Sequence, residues 1–142
     1  MNFFKLFKVK TIEGSWLIGI KGKLFDTTGY FIIDTGAQVS MINRLYFNPL
    51  NTIKLQTVEV MGISTDTIEN IEIAEHIPIK LTQFKYVLKK ALIMDISHVT
   101  DRFMPNCPIL GLIGNDFLHK HSALLNYYDM IMSLDIKNKE KS

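Results

Sequence analysis

FIIDTGAQVSMIN, residues 31–43, is the stretch whose reading decides how this chain folds. Residues 30–33 are continuously apolar, which predicts a strand buried on both faces. Asp34-Thr35-Gly36-Ala37 then interrupts the run as a tight turn, and residues 39–42 resume the apolar character. Such a strand–turn–strand delivers one carboxylate into apolar surroundings, where neighbouring groups rather than bulk water govern its chemistry. Gly36 has no side chain, so the backbone can turn sharply and bring its N–H to the Asp34 carboxylate. Thr35 adds a hydroxyl able to pin the turn to nearby main chain. The alternative is a plain β-turn in which Asp and Gly serve geometry alone. Ordinary residue frequencies produce Asp-(Ser/Thr)-Gly in roughly one chain of this length in fifteen, so the triplet by itself favours the plain turn.

Outward from this stretch, short β-like segments alternate with turn signals. Residues 3–10 interleave apolar and basic side chains, as a half-buried or edge strand does. Residues 16–24 form a second strand leading into the turn Asp26-Thr27-Thr28-Gly29. Residues 43–52 read as a loop, and 57–63 with 67–73 as two strands around a hairpin tip at 62–66. Strands at 77–82, 87–94 and 109–113 follow, with an irregular stretch at 101–108. Phe117, Leu118 and His121 are spaced for one short helix over 115–121. Residues 124–126 and 130–134 make a closing hairpin around Tyr127-Tyr128-Asp129. These readings combine into a single mainly β domain over residues 1–142, with a polar tail from 135.

Composition narrows the functional classes. A net charge of +2 and the lack of a dense Lys/Arg stripe argue against a nucleic-acid partner. Cys107 is the only cysteine, and the four histidines lack zinc-site spacing, so neither a metal nor another cofactor is expected. Lys5, Lys8 and Lys10 break the apolar N-terminal segment, and no run approaches the length that spans a bilayer. The expectation is therefore a cytoplasmic protein with no membrane partner. Asp116, at the start of the predicted helix, reads as its cap. Trp16, Tyr127 and Tyr128 read as core or dimer packing.

FIIDTGAQVSMIN resembles the active-site segment of the retropepsins, the single-domain aspartic proteases of retroviruses and their cellular and bacterial relatives; Asp34, Thr35, Gly36 and Ala37 match position by position. LIGNDFLHKH, residues 112–121, is similar to the family's apolar-apolar-Gly segment before its short helix, with Leu112, Ile113 and Gly114 matching. VEVMGISTDTIENIEI, residues 58–73, lies where that family has its flap hairpin, and ALLNYYDMIMSL, residues 123–134, resembles its closing hairpin. The resemblance covers about residues 16–134. It departs at the flap tip, where retroviral members are glycine-rich but this chain has only Gly62, followed by Ile63, Ser64 and Thr65.

The resemblance implies a retropepsin-like acid-protease β-barrel, one lobe per chain, closed into a C2 homodimer. It implies an aspartic endopeptidase acting on a protein or peptide substrate. One chain holds one Asp-Thr-Gly, whereas the chemistry needs two carboxylates, so the second Asp34 would come from a symmetric copy. Thr35 would cross-link the two turns and the Gly36 N–H would orient the carboxylate. Gly62 and Ser64 would lie near the flap tip. Ala37, Met61, Ile63 and Ile113 would wall the substrate pockets, with ordinary core packing an equal alternative for each. Two other functions stay open: a dimerising, peptide-binding module without catalysis, and an unrelated small β-barrel interaction domain.

Overall fold

Alternation of apolar and polar residues dominates the chain, and in a computed structural model describing residues 1–48, 53–61, 68–103 and 108–135 it produces a mainly β protein. The strands are β1 (Asn2–Lys10), β2 (Trp16–Leu24), β3 (Thr27–Ile33), β4 (Met41–Asn43), β5 (Lys54–Met61), β6 (Ile68–Leu81), β7 (Phe84–Met94), β8 (Ile109–Ile113), β9 (Leu124–Asn126) and β10 (Ile131–Leu134). Two short helices, α1 (Ser97–Thr100) and α2 (Asn115–Lys120), and a 3-10 turn at Arg44–Tyr46 complete the described residues. The strands join in the order β5-β6-β7-β4-β8-β3-β2-β1-β10-β9, and β6 returns to pair with β2. Most pairings are antiparallel; β3–β8 and β4–β7 are parallel.

β3 lies at the centre because both of its faces are apolar. Phe31 enters the main core with Phe4, Ile20, Leu24, Ile42 and Leu110. Ile32, pointing the other way, joins a second cluster with Val9, Ile96, Phe103 and Ile109. Burying these two side chains contributes roughly 3–6 kcal/mol, which holds the strand firmly and fixes where Asp34 emerges. The neighbouring β8 comes close enough to β4 that a Cβ on Gly111 would collide with the Met41 carbonyl oxygen. Only glycine allows that approach.

Several elements differ from the sequence-based expectation. The turn before β3 is confined to Phe25-Asp26, because Thr27–Gly29 already pair with β2. The segments expected as separate strands at 67–73 and 77–82 are one strand, β6. Its buried positions run Leu81, Ile79, Ile77 and then Ala74, while on β7 they run Tyr86, Leu88 and then Ala91, Ile93. Both strands thus change parity at the same rung, around Glu75, His76, Lys89 and Lys90, so pairing continues from Ile77↔Leu88 to Glu75↔Lys90 without a shift. His76 takes a φ of 55° at this kink. α1 was not anticipated, so α2 is not the sole helix. Trp16, Tyr127 and Tyr128 are exposed rather than part of this chain's core, Tyr128 at 96%. β5 and β6 pair antiparallel from Lys54↔Glu75 to Met61↔Ile68, over the stretch where the flap hairpin is expected. The expected tip at 62–66 lies outside the described residues, as do Cys107 and the tail from 136. Among the described residues no helix is long and apolar enough to cross a membrane.

Candidate active site

Asp34 follows the last rung of β3, where Ile33 pairs with Ile113 of β8. Its N–H donates to the Ile113 carbonyl at 2.9 Å, and the Ala37 N–H returns to the Asp34 carbonyl at 3.2 Å, closing the turn. The Gly36 N–H donates to Asp34 Oδ1 at 3.1 Å. The carboxylate is half-buried, while Thr35 and Gly36 are exposed. Among the described residues Asp34 Oδ2 accepts no hydrogen bond. One oxygen is therefore oriented by the backbone and the other is open to a reacting partner. Gly36 does not need a left-handed φ here, and a Cβ there would meet only Asp34 Oδ1, at 3.4 Å, an ordinary van der Waals contact.

The turn is held from behind by α2. Helix N-termini carry N–H groups with no intrahelical partner, and here those groups satisfy carbonyls of the Asp34 loop. Asn115 N–H donates to Ala37 O at 2.8 Å and Asp116 N–H to Gln38 O at 3.2 Å. The Asn115 side-chain amide adds a bond from Nδ2 to Thr35 O at 2.7 Å. The contact is so close that a Cβ on Gly114 would lie 2.9 Å from Ala37 O and 3.0 Å from Val39 C.

Ser40 joins the two segments. It is fully buried, and its Oγ donates to Asp116 Oδ1 at 2.8 Å while accepting the Gly114 N–H at 3.0 Å. Its own N–H donates to Asp116 Oδ2 at 3.2 Å. Asp116 is consequently not the cap of α2: the N-cap position is Gly114, with no side-chain capping bond. The Asp116 carboxylate favours the helix dipole from the first turn while gripping the exit of the Asp34 loop. Sequence reasoning passed over Ser40 and Asn115. The signal available was a lone hydroxyl between Val39 and Met41 in an otherwise apolar run.

Of the expected pocket walls, Ala37 is half-buried beside the turn. Ile113 is 0% exposed in the main core, so its side chain faces inward and offers no wall to a peptide in this chain. Its neighbour Leu112 points to the opposite face and is only partly buried. The backbone of Met61 ends β5, but its side chain, like Gly62, Ile63 and Ser64, lies outside what the structure describes. Thr35, Asn115, Leu118, His119, Ala123 and Leu125 line a cleft beside the turn. Among the described residues no three metal-ligating side chains converge.

This geometry can orient one carboxylate and present its free oxygen to a water or a carbonyl. Compared with protein-family models, residues 13–126 match the family described as retroviral aspartyl protease, a span that contains the Asp34 turn, Ser40, β8 and α2. No curated protein matches the chain.

Proposed function

Because the chain belongs to the retroviral aspartyl protease family, we propose that it is an aspartic endopeptidase, hydrolysing peptide bonds through a water held between two Asp34 carboxylates, one from each subunit of a homodimer. The observation that carries this reading is the Asp34 carboxylate itself: one oxygen held by Gly36, the other open, on a turn with exposed Thr35 at its crest. Two such carboxylates facing across a two-fold axis share one proton, because like charges that close resist joint ionisation. The ionised member takes a proton from the water as its oxygen attacks the carbonyl carbon. The protonated member donates to the carbonyl oxygen. Collapse of the tetrahedral intermediate breaks the C–N bond, and the leaving amine receives a proton from the pair. The Gly36 N–H keeps the carboxylate aligned, and the crest position lets Thr35 reach its symmetric counterpart.

The surface beside the turn suits a second copy. β9 ends the sheet, and its Leu124, 65% exposed, stands across Ser133 from Phe3, 66% exposed. Leu124 and Phe3 thus share one exposed face of this sheet edge, while Leu125, the next residue along β9, lines the cleft with Thr35. The β5–β6 hairpin would serve as the flap, with Met61, Gly62, Ile63 and Ser64 over the substrate and Ala37 beneath it. An extended peptide would pair there as an added strand.

The test is a cleavage assay on a mixed peptide library, with sedimentation to read oligomeric state. Wild type should cut and should sediment as a dimer, and Asp34→Asn should fold and dimerise without cutting. Leu124→Arg places a charge on the exposed edge, so it should shift the protein to monomer and lower cleavage about tenfold or more at micromolar concentration. A fully active monomer would sink the two-subunit site. An Asp34→Asn variant that still cuts would leave a resemblance of fold alone.

A further inference from the structure

The lysines that look scattered along the chain are brought into register by the sheet. Lys23 of β2 stands opposite Lys80 of β6, and Lys80 stands opposite Lys85 of β7. Directly opposed side chains share one face with Cβ atoms about 4.5–5.5 Å apart, and like charges there are destabilising. Among the described residues none of the three pairs with a carboxylate; the ion pairs are Arg44–Glu72 and Arg102–Glu13. The fold gains nothing from this repulsion, which an anionic partner would reverse.

The rungs beside it say what kind of anion. Two residues along the same face Pro78 stands opposite Val87, and both are exposed. Beyond them His76 and Lys89, both exposed, lie between the paired rungs Ile77↔Leu88 and Glu75↔Lys90. The face therefore reads basic, apolar, basic at intervals of about 6.6–6.8 Å, the repeat of alternate residues in an extended chain. A cleft of about 440 Å³ borders the first two rungs, lined by Lys23, Phe25, Pro78, Lys80, Lys85 and Val87. A second, of about 450 Å³, shares Val87 and reaches His76, Lys89, Lys90 and Lys120, which outnumber its two carboxylates, Glu75 and Asp116.

Among the described residues the edge of β7 here is open. β4 joins that edge only at Leu92, Ile93 and Met94, whereas from Phe84 to Lys90 β7 pairs with β6 alone. Pro78 cannot donate to the ladder, which marks its rung as one whose main-chain groups point away from the partner strand. Val87, and with it Lys85, thus turns N–H and C=O towards the open edge. An incoming strand could pair with them.

We propose that the β7 edge binds an extended acidic segment of a partner protein, in which two carboxylate side chains flank one apolar residue at alternate positions. One carboxylate meets Lys85, with Lys80 and Lys23 on successive strands behind it adding to the positive field, the other meets Lys89, and the apolar residue packs on Val87. A nucleic acid fits less well, since among the described residues the face has no arginine and only the partly buried Phe25 as a stacking ring, where a single-strand binder sets out several. The Lys23 rung meets β3 at Thr28, six residues or about 20 Å of strand from Asp34, so this surface is distinct from the carboxylate site and its occupancy does not depend on catalysis.

The probe is fluorescein-labelled Thr-Glu-Thr-Val-Thr-Glu-Thr, titrated against the intact wild-type chain by fluorescence polarisation, with its integrity checked by mass spectrometry. Saturable binding is expected, weakened about tenfold by replacing both glutamates with glutamine and again by the double variant Lys80→Gln/Lys85→Gln. The double variant should melt at or above the wild-type temperature, because it removes opposed charges, and this separates lost binding from lost fold. Equal binding of the glutamine peptide, or undiminished binding by the double variant, would overturn the proposal. So would tighter binding of a single-stranded oligonucleotide or of phosphatidylserine vesicles through the same lysines.

Discussion

Asp34 and Asp116 stand just beyond the ends of two paired parallel strands, β3 and β8, and they behave in opposite ways. Asp116 is the more exposed of the two, yet both its oxygens are engaged by Ser40. Asp34 is more enclosed, yet only Oδ1 is held and Oδ2 is open. Exposure would rank the pair wrongly. Which lone pairs are already committed separates a carboxylate that braces a loop from one free to react.

The largest effect expected from this contrast is in activity. Asp34→Asn preserves an acceptor for the Gly36 N–H, so stability should stay within about 0.5 kcal/mol of wild type, while peptide cleavage falls by roughly a thousandfold or more. A variant that loses stability instead would make Asp34 another brace and collapse the distinction.

Ser40→Ala should do the reverse. It strands the buried Gly114 N–H and removes the donor to Asp116 Oδ1. Urea denaturation should show a loss of about 1–3 kcal/mol, with cleavage reduced because the loop carrying Asp34 loosens. Asp116→Ala should cost less, about 1–2 kcal/mol, since water can reach the vacated position. The double variant should fall short of the sum by at least 0.5 kcal/mol, roughly the coupling seen between contacting groups. Strict additivity would mean that the two residues brace the loop separately.

A third carboxylate sharpens the comparison at the smallest scale. Asp95 Oδ1 accepts the Ser97 N–H at 3.0 Å, the same two-residue reach that links Asp34 to Gly36. That backbone bond, assisted by the Ser97 hydroxyl, holds the Asp95 carboxyl below the usual aspartate range. A depressed folded value means that its support for the start of α1 is present above the unfolded value and fades as pH falls through the folded one. Ser97 amide exchange should therefore accelerate only in acid below the ordinary aspartate range, and Asp95→Asn should abolish that dependence. An unchanged profile in the variant would assign the acid sensitivity to another group.

Much of the architecture was legible because its causes are local. β2, β8 and β9 begin and end where alternation and turn residues place them, and the apolar run before Asp34 is buried on both faces as its composition demands. β6 was read as two strands because Glu75-His76 breaks the alternation; only its partner, changing burial parity at the same rung, lets the ladder continue in one register. α1 has four residues, too few for a helical period to register. Ile113 was left between pocket wall and core, and Asp116 was read as a cap, because adjacent positions on a strand, or in a first helical turn, cannot be assigned a neighbour until the opposite element is known.

By itself the sequence determined a mainly β chain, a strand–turn–strand presenting Asp34, and a short helix after Gly114. Period-two burial and turn chemistry act over a few residues, so their traces lie within short windows. Tertiary structure alone decided that Ser40 and Asp116, 76 residues apart, share two hydrogen bonds. It alone set Lys23, Lys80 and Lys85 on one rung. Both outcomes depend on register, which the burial of inward faces imposes across the sheet: a slip of one residue would turn every side chain of a strand to the other side.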